Sequence, residues 1–296
     1  MDNILTITIV TFLGILILNI FSVEFATSQP VSLEGTPGND KIIGREGNDN
    51  IEGMEGNDVL DGWFGDDEID NKTVNYIAGQ FAFFDIGEVY NDPKGPIRHF
   101  TISSSPTENF IMFSTRIRNS PYKKRLSTME KGTKVKVKGP EGHFVLHQDY
   151  TKPAVFLSGG IGVTPFRSMI KYATDMQLSV KIIMFDSNKD RNNILFKKEF
   201  DEWASMNKNL KIIYTISEED SQHKEQSPLS TSNDWKGEYG RIDKTMILKY
   251  VDSSLLNNSI FYICGPPSML KAMQALLQGD LTIPKERIKV EEFTGY

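Results

Sequence analysis

The chain has 296 residues, room for two domains of ordinary size, and 39% of them are hydrophobic, enough to build real cores. Its net charge of −6 is uneven: residues 31–70 hold twelve acidic and two basic side chains and residues 1–30 two acidic ones, so 71–296 stand at about +6. This suits an anionic ligand or an acidic partner and is too weak to indicate nucleic acid. The one cysteine, Cys264, excludes both an intramolecular disulfide and a four-thiolate iron–sulfur cluster built from this chain alone.

The apolar run Ile4–Phe21 comes first, followed by small residues at Ala26 and Ser28. It reads as a signal peptide ending before Gln29 or as a single membrane anchor, with a buried core helix as the plain alternative. Asp2 and the absence of Lys or Arg ahead of the run leave its orientation open. Used for targeting, the segment makes the protein exported or membrane-anchored; otherwise it is cytoplasmic.

A period of nine then runs through residues 35–70. Gly35, Gly44, Gly53 and Gly62 open four units, and Gly38, Gly47, Gly56 and Gly65 follow three residues on. Asp40, Asp49, Asp58 and Asp67 recur in step, each followed two residues later by an aliphatic at Ile42, Ile51, Leu60 or Ile69. Glycine permits tight turns, the carboxylate is a hard oxygen ligand for Ca²⁺, and the aliphatic points into a narrow coil. The units resemble RTX or haemolysin-type nonapeptides, which implies a short β-roll-like segment with the four aspartates as calcium ligands. The second position is Thr36, Arg45, Met54 or Trp63 where that template has glycine.

Residues 71–150 read as strands. One is expected over 75–84, a second over Asn109–Arg118 and a third over Gly132–Lys138, with a polar turn at Tyr90–Pro96. Between the first two lies Arg98-His99-Phe100-Thr101-Ile102-Ser103-Ser104. A guanidinium fork suits a phosphate and an aromatic face suits a flat ring.

Residues 151–296 alternate strand and helix, which implies a parallel sheet covered on both faces. Strands are expected at Val155–Ser158, Val180–Phe185, Leu210–Ile216, Ile260–Cys264 and Ile288–Glu292. Helices fit Pro165–Thr174, Ile194–Met206, Lys244–Val251 and Ser268–Gln278, and a long Ser-rich loop fits 218–233. Two of the strands end in glycine just before a helix: Ser158-Gly159-Gly160-Ile161-Gly162-Val163-Thr164-Pro165 and Cys264-Gly265-Pro266-Pro267. Such ends aim backbone N–H groups at a ligand's phosphates. After the second strand, Asp186 could accept from a ribose hydroxyl, while Ser187, Lys189 and Arg191 could hold a 2′-phosphate, so NADH and NADPH both stay open.

Together these motifs resemble the ferredoxin–NADP⁺ reductase family over about 76–296. The resemblance implies FAD and NAD(P)H as cofactors. It puts Arg98 on the flavin's phosphate, Phe100 against the isoalloxazine, the Thr101 hydroxyl near flavin N5, and Ser104 at the end of the same motif. It makes Lys123 a second phosphate contact where many relatives have Ser or Thr. Gly159, Gly160, Gly162, Thr164 and Pro165 match the family's pyrophosphate loop. Cys264, Gly265 and Pro266 match its nicotinamide edge, with the thiol beside the reacting carbon. Glu291 and Phe293 match its closing motif, where an acid and an aromatic approach the flavin; Tyr296 is the other candidate to cover the ring.

Relatives carry roughly three more strands before the Gly79-Gln80-Phe81 segment, so the flavin barrel looks truncated here. The expected architecture is therefore α/β plus β. Residues 1–28 form the leader or anchor and 35–70 the repeats. Residues 71–150 form a partial antiparallel flavin barrel and 151–296 a doubly wound nucleotide-binding domain. The expected function is an FAD-dependent NAD(P)H oxidoreductase that passes electrons to a separate redox protein or small molecule. The alternatives are an exported calcium-binding β-roll fused to a non-functional reductase remnant, and a nucleotide binder without redox chemistry.

Overall fold

The computed structural model describes residues 75–117, 119–130, 133, 135–217 and 235–292, and before them the strand backbones 8–12, 15–20, 32–34, 41–43, 50–52, 59–61 and 68–69. The chain divides into two compact units, one within residues 1–143 and one over residues 144–295.

In chain order the first unit holds β1 (Thr8–Phe12), β2 (Ile15–Ile20), β3 (Ser32–Glu34), β4 (Lys41–Ile43), β5 (Asn50–Glu52), β6 (Val59–Asp61) and β7 (Glu68–Ile69). It continues with β8 (Phe81–Asp85), β9 (Ile97–Thr101), β10 (Ile111–Arg116), α1 (Pro121–Ser127) and β11 (Lys136–Glu141). Six of these strands are antiparallel and form two three-stranded sheets, β1-β2-β10 and β11-β8-β9. The core beside them follows from period-two burial on β8, where Ala82 and Phe84 point inward and Phe81 and Phe83 do not. Phe84 and Phe100 meet Phe113, Tyr122 and Leu126 there, and the Phe100 ring stacks on Phe113 at 4.5 Å and 7°. Tyr122 keeps its hydroxyl satisfied in this apolar setting by donating to the Phe84 carbonyl at 2.9 Å.

Two features differ from the sequence expectation. The apolar run at the amino terminus is a strand pair: β1 runs antiparallel to β2, and β2 runs antiparallel to β10 from Ile15↔Arg116 to Ile20↔Ile111. Its β-branched residues and alternating Thr-Ile-Thr-Ile pattern suit a pleated surface, a signal that the length of the run concealed. No helix among the described residues is long and apolar enough to cross a membrane. The segment after Ser120 is also helical (α1), because the Ser120 hydroxyl accepts from the Lys123 amide and Pro121 stands at the first helical position.

The repeats pair in a strict alternation. β3, β5 and β7 form one parallel sheet, and β4 and β6 another. Ser32 faces Asn50 and Lys41 faces Val59, so each strand pairs with the strand two repeats on. Successive nine-residue units thus lie on opposite sheets.

The second unit holds β12 (Ala154–Gly159), α2 (Thr164–Asp175), β13 (Ile182–Asn188), α3 (Lys197–Met206), β14 (Leu210–Ile216) and β15 (Glu238–Tyr239). It ends with α4 (Lys244–Tyr250), α5 (Ser253–Asn258), β16 (Ile260–Gly265), α6 (Pro267–Ala275) and β17 (Ile288–Glu292). All six strands are parallel in the order β15-β14-β13-β12-β16-β17. Every residue of β12 is buried, as expected of a central strand covered on both faces. One face packs Val155, Leu157, Phe185, Phe261 and Ile263 against α4 and α6; the other stacks Phe156 on Phe166 at 4.5 Å. The expected strands and helices are present, with three adjustments. α3 starts at Lys197 because Phe196 turns left-handed (φ 56°). Asp252 caps an extra helix, α5, through the Leu255 amide. The two-residue β15 adds an edge strand.

The segment entering this unit is clasped by His147. Its Nε2 faces the Lys152 carbonyl at 2.9 Å, which only accepts, so Nε2 carries the proton and Nδ1 accepts from the Tyr262 hydroxyl at 2.8 Å. Burial lowers the imidazole's pKa. Lys289 and Lys152 push the same way, against the Lys152 carbonyl and Asp149. An unfolded histidine takes up a proton near pH 6.5, before the folded one does. Stability should therefore fall as pH drops from about 6.5 to the lower folded value. Thermal melts between pH 7.5 and 5 should show this fall, and His147→Gln should flatten it. An equal slope in the variant would remove His147 from the explanation.

Candidate functional site

The chain order of the strands reverses beside β12: β13 and β14 lie on one side of it, β16 and β17 on the other. In open parallel sheets this switch point leaves a crevice outside the carboxyl ends of the strands, where ligands bind. Both glycine signatures end there. A Cβ on Gly162 would stand 2.3 Å from the Cys264 carbonyl oxygen, and one on Gly159 would stand 2.3 Å from Met269 Sδ. Only glycine lets the loop after β12 lie on the end of β16. Gly160 has φ 56°, starts a 3-10 turn through Val163, and leads into α2 at Thr164 and Pro165. No side chain caps either the turn or α2, and no acidic residue stands in either first turn. Their leading N–H groups keep the positive end of the helix for an anion.

A single register row crosses the sheet at this end: Tyr214, Asp186, Ser158, Cys264, Glu291. Ser158 Oγ and Asn188 Oδ1 are buried with no hydrogen-bond partner among the described residues. Orphaned buried polar atoms at strand ends, next to uncapped N–H groups, fit a polar anionic ligand such as a dinucleotide. Cys264 is fully buried; burial, with the Glu291 charge behind it, pushes its thiol pKa well up. The Glu291 carboxyl is itself raised by burial.

The remaining residues of this unit divide by access. Asp186 is fully buried, and one of its oxygens accepts from the Asn188 amide at 2.9 Å. Ser187 pairs with Gly159 in the register, and Arg191 lies over the Trp235 ring at 5.4 Å, 3.5 Å from the Tyr239 hydroxyl. Gly265 is buried and Pro266 exposed at the start of α6. Asn188, Ser158, Trp235 and Tyr239 were not among the sequence candidates. Ser158 immediately before Gly159 was the one readable signal.

In the first unit β9 and α1 gather Arg98, Phe100, Thr101 and Lys123, all buried. Phe100 gives one ring face to Phe113. Ser104 is fully buried, accepting from the Tyr76 hydroxyl and the Met112 amide, both at 2.9 Å. Arg98 is held by a residue that sequence reading passed over. Its Nη2 donates to Asp92 Oδ1 at 2.7 Å, and its Nη1 donates to the carbonyls of Lys94, Gly95 and Ile97. Burial pushes the Asp92 carboxyl up, but the Lys94 and Tyr122 amides and Arg98 outweigh it and hold the carboxyl below its usual range. A carboxylate thus stands in for an anion on the arginine of the motif, so the donors present fit a phosphate there. Phe293, Tyr296 and the four repeat aspartates (Asp40, Asp49, Asp58 and Asp67) lie outside the described residues.

The glycine loop at the switch point of a parallel sheet and the antiparallel sheet bearing Arg98, Phe100 and Thr101 resemble the two halves of the ferredoxin–NADP⁺ reductase-like fold, with RTX-type repeats earlier in the chain. Residues 156–275 match the family model described as "Oxidoreductase NAD-binding domain", and residues 34–69 match four copies of the RTX calcium-binding nonapeptide repeat. The chain is 26% identical over 236 residues to Flavohemoprotein A of Dictyostelium discoideum, covering 76% of this chain and 54% of that protein. It is 25% identical over 229 residues to one component of the Na(+)-translocating NADH-quinone reductase of Idiomarina loihiensis, covering 73% and 53%. It spans about half the length of these relatives. Among solved structures, the flavohem-like FAD/NAD-binding domain of Vibrio cholerae nitric oxide dioxygenase shares the fold with a TM-score of 0.65 at 13% identity, covering 99% of both chains. The cytochrome b5 reductase domain of Ulva prolifera nitrate reductase does so with 0.62 at 18%, covering 99% of this chain and 97% of that one.

Proposed function

We propose that the chain is an FAD-dependent NAD(P)H oxidoreductase that serves a separate electron acceptor. The observation that carries this reading is the close approach of the Gly159–Gly162 loop to Cys264 and Gly265, with uncapped N–H groups beside it. When bound, the nicotinamide supplies a hydride and the flavin accepts it and can give its electrons up singly.

The protein's residues bind, orient and exclude water. N–H groups of the loop and of α2 would hold the dinucleotide's phosphates, with the Ser158 hydroxyl as a further donor and Asn188 Oδ1 as an acceptor for a ribose hydroxyl. Cys264, its thiol kept neutral by burial, would line the nicotinamide end without adding charge. Glu291, whose carboxyl burial pushes up, pairs with Cys264 across the strand register. Arg98 and Lys123 supply the cations for the flavin's phosphates, Phe100 an apolar wall and Thr101 a hydroxyl. With one cysteine these residues supply no four-thiolate cluster, so the electron acceptor lies outside them. The names of the two relatives put haem and quinone among the acceptors to test.

Two finer features support this architecture. The pairing of β2 with β10 favours reading the amino-terminal run as strands of the flavin half rather than as an anchor, which would make good most of the expected truncation. The alternation of β3, β5 and β7 with β4 and β6 favours a β-roll, because strands eighteen residues apart pair in parallel. Calcium should therefore raise the β-sheet circular dichroism of the full chain, and the fourfold variant Asp40→Asn, Asp49→Asn, Asp58→Asn, Asp67→Asn should abolish the response. No response in the parent chain would leave the repeats as an acidic linker.

The principal test is an absorbance spectrum of the full chain with FAD, followed anaerobically by NADH or NADPH. A yellow protein that bleaches with either nucleotide is expected. A chain that stays colourless after FAD defeats the reading.

A further inference from the structure

Arg98 and Asp92 form an ion pair whose side chains are 5% and 3% exposed. The carboxylate is received on three sides: Arg98 Nη2 and the Lys94 amide donate to Oδ1, and the Tyr122 amide donates to Oδ2 at 3.0 Å. A guanidinium with two backbone N–H groups is a set of donors that a phosphate group would use equally well. The Arg98 guanidinium also lies over the Tyr122 ring at 4.9 Å, which fixes the fork in place. Asp92 rides on the turn Tyr90–Pro96, where Tyr90 is 88% exposed and Asn91 and Gly95 are left-handed. Arg98, by contrast, belongs to β9, paired along its length with β8. The anchored partner is the cation; the partner on the turn is the anion.

We propose that Asp92 is a built-in anion that occupies the phosphate position at Arg98, so that a phosphate-bearing cofactor binds there by displacing it. This rests on the flavin reading of Arg98 given above. Asp92 thereby sets the phosphate affinity of the site: two anions cannot share one fork, and the pair must open before a phosphate takes its place.

The test is titration of the full chain and of Asp92→Asn with FAD and with riboflavin, read by flavin fluorescence. Asparagine keeps an acceptor for Arg98 and removes the competing charge. FAD should bind the variant about tenfold more tightly, the loss of one charge-assisted bond from the competitor, while riboflavin, which has no phosphate, should bind both proteins alike. No change for FAD, weaker FAD binding, or an equal shift for riboflavin overturns the proposal. If neither protein binds a flavin, the flavin reading fails, and inorganic pyrophosphate decides separately. A larger rise in melting temperature with pyrophosphate in Asp92→Asn than in the parent supports the displaced anion; equal rises overturn it. If the variant is unfolded in plain buffer, recovery of the fold in millimolar pyrophosphate supports the proposal and persistent unfolding overturns it.

Discussion

Gly162→Ala should weaken NAD(P)H binding at least about tenfold and lower the melting temperature, although it adds only one methyl group. The added Cβ would stand 2.3 Å from the Cys264 carbonyl oxygen and 2.8 Å from Gly265 Cα, and both belong to the backbone of the central strand β16. Neither can rotate away. The loop must lift instead, and its N–H groups lose their aim at the phosphates. Overpacking of this kind costs about 1–3 kcal/mol, which for a chain of this size is a fall of about 2–12 °C. Gly279→Ala is the control, since nothing lies within 4 Å of a Cβ there and its φ is ordinary. Nucleotide titration and thermal melts of both variants check the prediction. Unchanged binding in Gly162→Ala would remove the loop from the site.

Arg98→Met should be the most destabilising single change in the first unit and should abolish flavin retention. It leaves the Asp92 carboxylate, 3% exposed, with two amides and no cation. Stranding a buried charge costs about 3–5 kcal/mol, and about 2–4 °C in melting temperature for each kcal/mol. The companion variant Arg98→Met, Asp92→Asn should recover much of that loss, because the amide keeps accepting from Lys94 and Tyr122 without a charge. Urea melts of the two variants separate a stranded charge from lost packing: equal destabilisation would mean that packing of the Arg98 stem over Tyr122 dominates.

The two glycine signatures were legible because their constraint is local. A strand that ends in glycine before a helix reads the same in one dimension as in three, and the parallel sheet follows from the alternation of strands and helices. The repeats were legible for a related reason: a strict period of nine survives into strand pairing at eighteen. The strands β1 and β2 were not legible in the amino-terminal run, because an apolar stretch of that length has one hydropathy and two structural solutions. The choice between them depends on whether an open edge such as that of β10 exists elsewhere.

By itself, then, the sequence determined the parallel sheet with its helices, the glycine loop at Gly159–Gly162 and the nine-residue repeats. Each is specified by residues close together in the chain or by a repeating period. Only the tertiary structure decided that Asp92 sits on Arg98, that Phe100 gives a face to Phe113, and that β2 lies along β10. Those are pairings of charge, ring and strand edge, and which partner a buried group finds depends on what the rest of the fold brings within a hydrogen bond of it.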